Sequence, residues 1–433
     1  MKRYFFYAFT LINVLHAQAQ DFQINAEIKP RYEYRNGFGQ MRLAKDALDK
    51  AASFVSQRSR LSLFYANPAQ KLRMGASLQD VRNWGATDQL NIGDKNNFGV
   101  HEFWGELLLS NVFSIKAGRQ ELNYDNFRIL GNVDWVQQAR SFDAALMKYE
   151  DSAKKIKIHA GLGLNTKSET LVKDVYDANN YKSLQFIWLN KKFENINASF
   201  LFLNNGLEYT VNPSLSVTPG NRKVAFSQTT GSRLEFSKGK FDINAEGYYQ
   251  GGKTVGYKKV DSWNMGLELI GKPSKIVSLV VGAEWLSGTD MDETDGKNHS
   301  FNPFYGTNHK FNGTMDYFYV GGRWNNKVGL ADYYGGIRFQ NNRFNAELIT
   351  HIFNSMAKVV SNTTSLKKYL AVETDLMGRY KLSDIITFQT GFSFLSGSST
   401  FELLNPGSSK TKLNTWGWTQ LIIKPNLFTS SKK

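Results

Sequence analysis

Charged residues that share one face of alternating segments are the groups in this sequence best suited to chemistry. Along Lys240 to Gln250, every second residue is apolar and the residues between them are mostly polar or charged. If the apolar residues face lipid, the charged ones line an interior. Arginine keeps its charge and holds a carboxylate with a planar fork, so a series of arginines suits an anion that passes from one to the next. The interior set is Arg58, Arg60, Arg73, Arg338 and Arg379, beside Glu27, Glu246, Glu268, Glu347, Glu373 and Asp375.

These charges also allow a simpler interpretation. Cations and anions on the wall of any wide pore neutralise one another and keep the wall solvated, and rings of charge that select ions are only one use of such residues. The pattern alone leaves both interpretations open.

The densest group of charged and aromatic residues runs from Gly118 to Asp143. It is typical of a strand, a polar excursion and a returning strand. Alternation does not settle the orientation of Arg119 and Arg140, which share parity with apolar neighbours and lie at strand ends. A loop folded into the lumen would account for them, because irregular backbone at membrane depth is tolerated where it is buried or lines water.

Other chemistry finds little support in the sequence. The absence of Cys excludes disulfides, thiolate zinc sites and cysteine nucleophiles. The six His residues lack metal-ligand spacing, and His159 is the one candidate for a hydrolase triad. The acidic run Asp290 to Gly296 departs from the calcium-loop pattern, although its oxygen ligands suit Ca²⁺. We therefore expect no enzyme activity, no cofactor and no metal requirement.

The net charge is strongly positive. Lys and Arg number 53 against 38 Asp and Glu, which gives +15 and predicts an anionic partner. The basic residues are spread along the alternating strands and do not form a tail or a recognition helix, so we expect no nucleic-acid partner.

The elements that carry these residues are strands. Period-two alternation recurs in about nineteen segments of roughly ten residues, a length that crosses a bilayer when tilted. A single-chain bacterial barrel takes an even number, and Met315 to Arg323 alternates least. The sequence therefore predicts an all-β fold, a single transmembrane antiparallel up-and-down β-barrel of about 18 strands with an aqueous lumen. A soluble β protein with an aromatic core is the alternative.

The connections between segments are of two kinds. Tight ones such as Lys238-Gly239 predict short periplasmic turns, and long ones such as Gly37 to Ala52 and Gly288 to Thr314 predict extracellular loops. Asn414 to Phe428 is expected to be the closing strand, with Trp416 and Trp418 in an aromatic girdle.

The first residues are typical of an export signal. Met1-Lys2-Arg3 is basic, the stretch that follows is apolar but shorter than the roughly 20 residues of a spanning helix, and Ala17-Gln18-Ala19 suits signal peptidase. We predict a signal peptide at residues 1–19 and the barrel domain at residues 20–433. The location is then the outer membrane of a Gram-negative bacterium, with outer-membrane lipid as a partner.

Five segments carry a resemblance to a known family. They are Ser56 to Leu61, Leu78 to Gly85, Gly118 to Asp143, Tyr305 to Gly313 and Met315 to Gly321. With them, the chain resembles the alginate-export family of outer-membrane porins, which are eighteen-stranded barrels with an arginine-rich constriction. The resemblance extends over most of the residues after the signal.

The resemblance implies an anion-selective conduit. Its candidate pore arginines are Arg58, Arg60, Arg82, Arg119, Arg128 and Arg140, and the acids that would orient them are Asp80, Glu121 and Asp143. The implied partner is an anionic oligo- or polysaccharide, or a small anionic solute; the resemblance does not identify it.

Three functions follow from these observations. The first is a passive channel for acidic sugars, the second a general porin with weak anion preference, and the third an occluded barrel with a structural or surface-interaction role. We expect the protein to be a monomer.

Overall fold

The computed structural model describes residues 20–69, 71–89, 97–176, 181–256, 258–320 and 327–430. The signal peptide predicted at residues 1–19 lies outside the described residues. So does Arg323, the last residue of the segment Met315 to Arg323 that alternates least. Nineteen strands form one antiparallel sheet, and the last two of them pair in succession with the first strand as one broken pass. The protein is therefore the 18-strand closed β-barrel that the alternation predicts.

The barrel strands are numbered here by pass. They are β1 (Asp21–Asn36), β2 (Ala52–Ala66), β3 (Leu72–Asn83), β4 (Phe98–Leu108), β5 (Phe113–Gln120), β6 (Phe142–Asp151), β7 (Ile156–Leu164), β8 (Ser183–Lys192), β9 (Ile196–Thr210), β10 (Arg222–Lys238), β11 (Phe241–Gly252), β12 (Ser262–Gly271), β13 (Val277–Leu286), β14 (Leu330–Gln340), β15 (Phe344–Asn354), β16 (Tyr369–Lys381), β17 (Ile386–Gly397) and β18 (Asn414–Ile423, continued by Asn426–Thr429).

Closure joins the first strand to the last. β1 pairs with β2 on one side and with β18 on the other, where Tyr32 lies opposite Thr419 and Ile24 opposite Phe428. Every other strand pairs with its neighbours in sequence. A closed sheet leaves no open edge whose backbone groups lack partners, which is what a bilayer requires.

Short and long connections alternate along the chain. Gly239 and Lys240 are the whole turn between β10 and β11, whereas residues 121–141 connect β5 to β6 and residues 287–329 connect β13 to β14. The start of β1 and the end of β18 lie at the end of the barrel that carries the short turns. By the barrel convention this is the periplasmic end, and the long loops are extracellular.

The outward face of the barrel is apolar, as alternation predicts. In β11 the side chains of Phe241, Ile243 and Tyr249 are exposed, whereas Glu246 on the other face lines the interior. An exposed apolar band of this kind is what lipid tails solvate.

Helical structure in the described residues is short. It consists of one α-helix, α1 (Ser399–Leu404), and the 3₁₀ turns Pro219–Asn221 and Asn308–Lys310. In that part of the chain we find no helix with the length and apolar character needed to span a membrane. A two-residue hairpin, Val360–Ser361 with Thr364–Ser365, lies in the connection after β15.

The lumen is not wholly aqueous, which corrects the expectation drawn from strand number. Two loops fold into it: the first inward loop, residues 121–141, and the second inward loop, residues 287–320. Leu122 and Leu130 of the first loop and Tyr305 and Phe318 of the second are buried in one apolar cluster with side chains of the wall. An 18-strand barrel is wide enough to contain loops of polypeptide, and these two loops occupy part of its interior.

Of two expectations about individual segments, one is confirmed and the other is wrong. Residues 315–320 are irregular backbone within the second inward loop, so omitting this segment from the strand count was correct. Trp416 and Trp418 of β18 do not form an outer girdle, because both are buried and Trp416 Nε1 donates to Glu33 Oε2 at 3.1 Å. The alternation of β18 places them on the luminal face.

Candidate functional site

A basic stretch of luminal wall lies on the first two strands. Alternation in β1 and β2 sends Lys29, Arg31, Arg58 and Arg60 inward, and the first three of these side chains are almost fully buried. Glu27 pairs with Arg58 at 2.6 Å and Glu33 pairs with Arg31 at 2.9 Å, which leaves Lys29 and Arg60 without a carboxylate from these strands.

The first inward loop binds this stretch. The Asp134 carboxylate lies 2.8 Å from Arg58 and 3.7 Å from Lys29. Arg31 donates to the carbonyl of Trp135 at 2.6 Å, and Arg58 donates to that of Gln137 at 3.3 Å. The buried cations therefore bind loop backbone oxygens and the Asp134 carboxylate in addition to Glu27 and Glu33 of β1, which fixes the loop against the wall.

Aromatic stacking continues from the wall through both loops. The Arg31 guanidinium lies 3.9 Å from the centre of the Trp135 ring, and Trp135 stacks on His309 of the second loop at 4.3 Å. His309 Nδ1 in turn contacts the Asp316 carboxylate. The stack joins β1, the first loop and the second loop in one assembly.

The other end of the first loop binds the opposite side of the barrel. Arg128 is fully buried and pairs with Glu284 of β13 at 2.7 Å. It also donates to Asn312 of the second loop at 3.2 Å. Asn126 donates to Glu246 of β11 at 2.7 Å. The first loop therefore crosses the lumen. Asp134 contacts the basic stretch of β1 and β2, and Arg128 contacts the carboxylates on the opposite side, which form an acidic wall.

The two loops also share backbone hydrogen bonds. Gly131 N donates to Tyr305 O at 3.0 Å, and Thr307 N donates to Phe127 O at 2.9 Å. Gly306 is required at this crossing, because a Cβ there would lie 2.2 Å from the carbonyl oxygen of Arg128. The crossing depends on a residue without a side chain.

The acidic wall encloses a cavity of about 400 Å³ beneath the second loop. Every carboxylate that lines it has an arginine or histidine partner. The pairs are Glu246 with Arg233 (2.7 Å), Glu284 with Arg128 (2.7 Å), Glu268 with Arg338 (3.4 Å), Glu347 with Arg338 (3.2 Å), Asp332 with His351 (2.9 Å) and Asp375 with His351 (3.8 Å). We call this space the inner cavity.

Several cations inside the barrel are different, because they pair with no carboxylate of the described residues. Arg60 donates to the Gln79 amide oxygen at 2.7 Å, and Lys116 lies 3.8 Å from the centre of the Trp104 ring. Arg140 and Lys310 donate to loop carbonyls. Arg379 shares the luminal parity of Asp375 on β16 and is exposed. These five side chains, together with Lys157 of β7, which shares the luminal parity of His159, are luminal cations that remain open to a solute.

The predicted site residues divide into two groups. Arg58, Arg60, Arg128, Arg140 and Glu121 lie inside the barrel, and Glu121 contacts His101 Nε2 at 2.9 Å.

The remaining four lie on the outside. Arg119 pairs with Asp143 directly across from it at 3.0 Å, and both are exposed next to the inward-facing, fully buried Gln120.

Asp80 and Arg82 pair with each other at 2.6 Å. They share the outward parity of Met74, whereas the inward Gln79 contacts the first loop.

The structure adds residues that the sequence interpretation did not single out. Lys29, Arg31, Lys116 and Lys310 are luminal cations, and Glu284 is the partner of Arg128. Alternation continued from Glu27 would have identified the two on β1. Lys310 lies in irregular backbone, where no period exists to identify it.

Among the described residues, two groups of side chains place potential metal ligands within 4.8 Å of one another, His101–Glu102–Glu121 and Glu293–Asp295–His299. The second lies in the acidic run considered for Ca²⁺. There Glu293 accepts from backbone amides and Asp295 accepts from His299 Nε2 at 2.9 Å. That hydrogen bond raises the pKa of His299 above its ordinary value of 6.5. These carboxylates are already engaged within the chain.

Solved structures of similar fold are outer-membrane proteins. Acinetobacter baumannii OccAB4 matches with a TM-score of 0.61 at 13% identity, over 95% of this chain and 100% of that chain. Pseudomonas aeruginosa OccK9 (OpdG) matches with a TM-score of 0.60 at 12% identity, over 94% and 98%. A BenF-like porin from Pseudomonas fluorescens Pf-5 gives 0.60 at 11%, over 94% and 99%. No curated protein matches the sequence significantly.

At these identities the structural likeness shows the fold alone, which is that of the porin barrels. The sequence comparison is more specific, because residues 20–321 match the family described as Alginate export. That range covers most of the barrel and both inward loops. The chain belongs to the alginate export family and is a β-barrel of the outer membrane.

Proposed function

We propose that the protein is a passive outer-membrane channel that prefers anionic solutes, that acidic oligosaccharides are its substrate class, and that it catalyses no reaction. The observation that carries the proposal is the presence of luminal cations that pair with no carboxylate. All six carboxylates of the inner cavity contact an arginine or a histidine, whereas Arg60, Lys116, Arg140, Lys310 and Arg379 have no carboxylate partner in the described chain.

These five cations suit conduction because they are spread along the lumen. Arg60 and Lys116 lie on β2 and β5, Arg140 and Lys310 on the two inward loops, and Arg379 on β16. Conduction requires binding that is favourable enough for a solute to enter and weak enough for it to leave. Separate, partly exposed cations satisfy that requirement better than one tight arginine cluster.

The substrate class rests on the family. The matching family is described as Alginate export, and alginate is a polymer of uronic acids, with one carboxylate on each ring. A chain of regularly spaced carboxylates would meet successive cations as it advances. Carboxylates are also the groups that arginine holds bidentately.

The acidic wall favours a second candidate function, a general porin with weak anion preference. Basic residues on β1 and β2 face carboxylates on β11 to β16 across the lumen, an arrangement that hydrates and orients any small polar solute. The apolar cluster between the loops supports the third function, an occluded barrel.

Liposome swelling with three sugars of similar size separates these functions. Galacturonate is anionic, galactose neutral and galactosamine cationic. The proposal predicts swelling rates in the order galacturonate, galactose, galactosamine. Equal rates would leave the general porin, and absence of swelling with all three would leave the occluded barrel; either result overturns the proposal.

Export and assembly complete the proposal. Residues 1–19 act as a cleaved signal peptide, and the barrel works as a monomer surrounded by outer-membrane lipid. N-terminal sequencing of protein isolated from outer membranes should then begin at Gln20. Retention of Met1, or a dimer or trimer by mass measurement in detergent, would contradict these two points.

A further inference from the structure

The space above the inward loops contains a second cavity, of about 780 Å³. It lies between the outer ends of β9 to β11, the connection after β11 and the second inward loop. We define it by its four lysines, Lys253, Lys258, Lys297 and Lys327, and call it the outer lysine cleft. Its volume is within the range of cavities that bind small ligands.

Charge sets this cleft apart from the inner cavity. Four lysines contribute to its lining, and the described residues that line it include no carboxylate. Lys258 and Lys327 form no ion pair within the described chain. Within the described residues, the ion pairs of Lys297 are long and partly exposed, at 3.5 Å to Asp261 and 3.7 Å to Asp295. Contacts of that kind contribute little, so a ligand carboxylate can replace them.

The floor of the cleft is polar and fixed in place. Gln250 is fully buried, accepts from Asn302 N at 2.9 Å and donates to Asn302 O at 2.7 Å. Asn298 N donates to Lys259 O at 2.8 Å, which ties the loop to the connection after β11. Preformed walls lower the cost of ordering the site when a ligand binds.

The remaining lining suits sugar rings. Asn298, Asn302, Ser300 and Thr254 offer hydroxyl and amide groups, and Phe304 and Tyr319 offer aromatic surface. Hydroxyls and amides both donate and accept, as sugar hydroxyls require. Ammonium groups supply the complement for carboxylates.

The cleft adjoins the crossing of the two loops. Asn308 lines the cleft and accepts from Arg128 at 3.4 Å, whereas Lys310 to Thr314 line the inner cavity. The segment from Asn308 to Thr314 therefore separates the cleft from the inner cavity, and a ligand in the cleft lies at the outer end of the luminal route.

We infer that the outer lysine cleft is a binding subsite for carboxylated oligosaccharides at the extracellular mouth of the channel. This inference rests on the proposed function and deepens it, because it assigns the saccharide a defined site outside the luminal cations. The four lysines bind uronate carboxylates, and the amides, hydroxyls and aromatic rings bind the sugar framework.

The test is binding of a linear hexamer of mannuronate to the full-length mature protein in detergent, measured by calorimetry. Replacing Lys253, Lys258, Lys297 and Lys327 together with Gln should weaken binding about tenfold or more, as expected when four exposed ion pairs are lost. The matching Lys→Arg variant should retain binding. The same four-charge change at Lys154, Lys155, Lys192 and Lys240, at the short-turn end, is the control and should leave the affinity unchanged.

Two comparison ligands define the class. Maltohexaose, a neutral hexamer, should bind far more weakly than the mannuronate hexamer, and inorganic tripolyphosphate should compete poorly because it lacks the sugar framework. Competition by tripolyphosphate at the uronate's own affinity would overturn the saccharide assignment. Unchanged uronate binding in the Lys→Gln variant would overturn the site.

Measuring the ion selectivity of the wild type and of the same variants distinguishes failure of the cleft assignment from failure of the proposed function. If the wild-type channel prefers anions but the Lys→Gln variant binds uronate normally, the cleft assignment fails and the proposed function stands. If the wild-type channel lacks anion preference but the variant loses uronate binding, the proposed function fails and the cleft stands.

Discussion

Arg58 of β2 and Asp134 of the first inward loop form an ion pair of 2.8 Å that joins the barrel wall to a loop inside the lumen. Arg58 is almost fully buried, whereas the Asp134 side chain is 47% exposed. Asp134 is therefore both an anchor of the loop and a negative charge that a passing solute meets. Its removal should change ion selectivity more than folding.

Asp134→Asn should make the channel more selective for anions. The substitution removes a luminal negative charge beside Lys29 and Arg58 and keeps the shape of the side chain. We expect the reversal potential across a salt gradient to move further towards the anion value, with a small loss of stability because the pair is half exposed. Asp143→Asn, on the outside of the barrel, is the matched control and should leave the reversal potential unchanged. A shift towards cations in Asp134→Asn would contradict the assignment.

Arg128→Met should release the first inward loop from the acidic wall. Arg128 and Glu284 are buried together, and removal of one partner leaves an uncompensated charge, at a cost of about 3–5 kcal/mol to loop docking. Proteinase K added outside proteoliposomes should then cleave the loop faster, and single-channel conductance should rise.

The double variant Arg128→Met/Glu284→Gln tests whether the uncompensated charge of Glu284 is what releases the loop. It removes both charges, so resistance to proteinase K should return in part. If the single and double variants are cleaved at equal rates, the buried pair does not hold the loop.

His299 should titrate above its ordinary pKa of 6.5. The hydrogen bond with Asp295 raises the pKa, so protonated His299 stabilises the folded outer loop. That contribution is fully present below the unfolded pKa and is lost as the pH rises through the folded value. NMR titration of the imidazole should give a midpoint above 6.5, and Asp295→Asn should lower it. A midpoint at or below 6.5 in the wild type would disprove the interaction.

The barrel can be predicted from the alternation of apolar and polar residues, because every strand has one face towards lipid and one towards the lumen. Phe241 and Glu246 of β11 lie on opposite faces, as their parity requires. The period does not show how the loops pack in the lumen, although the irregular stretch between Gly118 and Asp143 indicated a loop folded into it. The apolar residues of the inward loops, such as Leu130 and Phe318, follow no period and are buried against distant strands.

The candidate site shows the same division. The luminal position of Arg58 and Arg60 could be predicted from the alternation in β2. Arg119 and Asp143 were wrong as pore residues, because their pairing across β5 and β6 places both on the outer face. They lie at the strand ends next to the long loops, where the outer surface meets headgroups and water, so charge is tolerated there.

The anion preference of the lumen can be measured as the reversal potential of the wild-type channel across a potassium chloride gradient in a planar bilayer. We expect a potential with the sign of chloride preference. Arg60→Ala/Lys116→Ala should move the potential towards zero, whereas Arg119→Ala, which removes an outer arginine, should leave it unchanged. A wild-type potential at zero, or of the sign of potassium preference, would show that the luminal cations do not make the channel prefer anions.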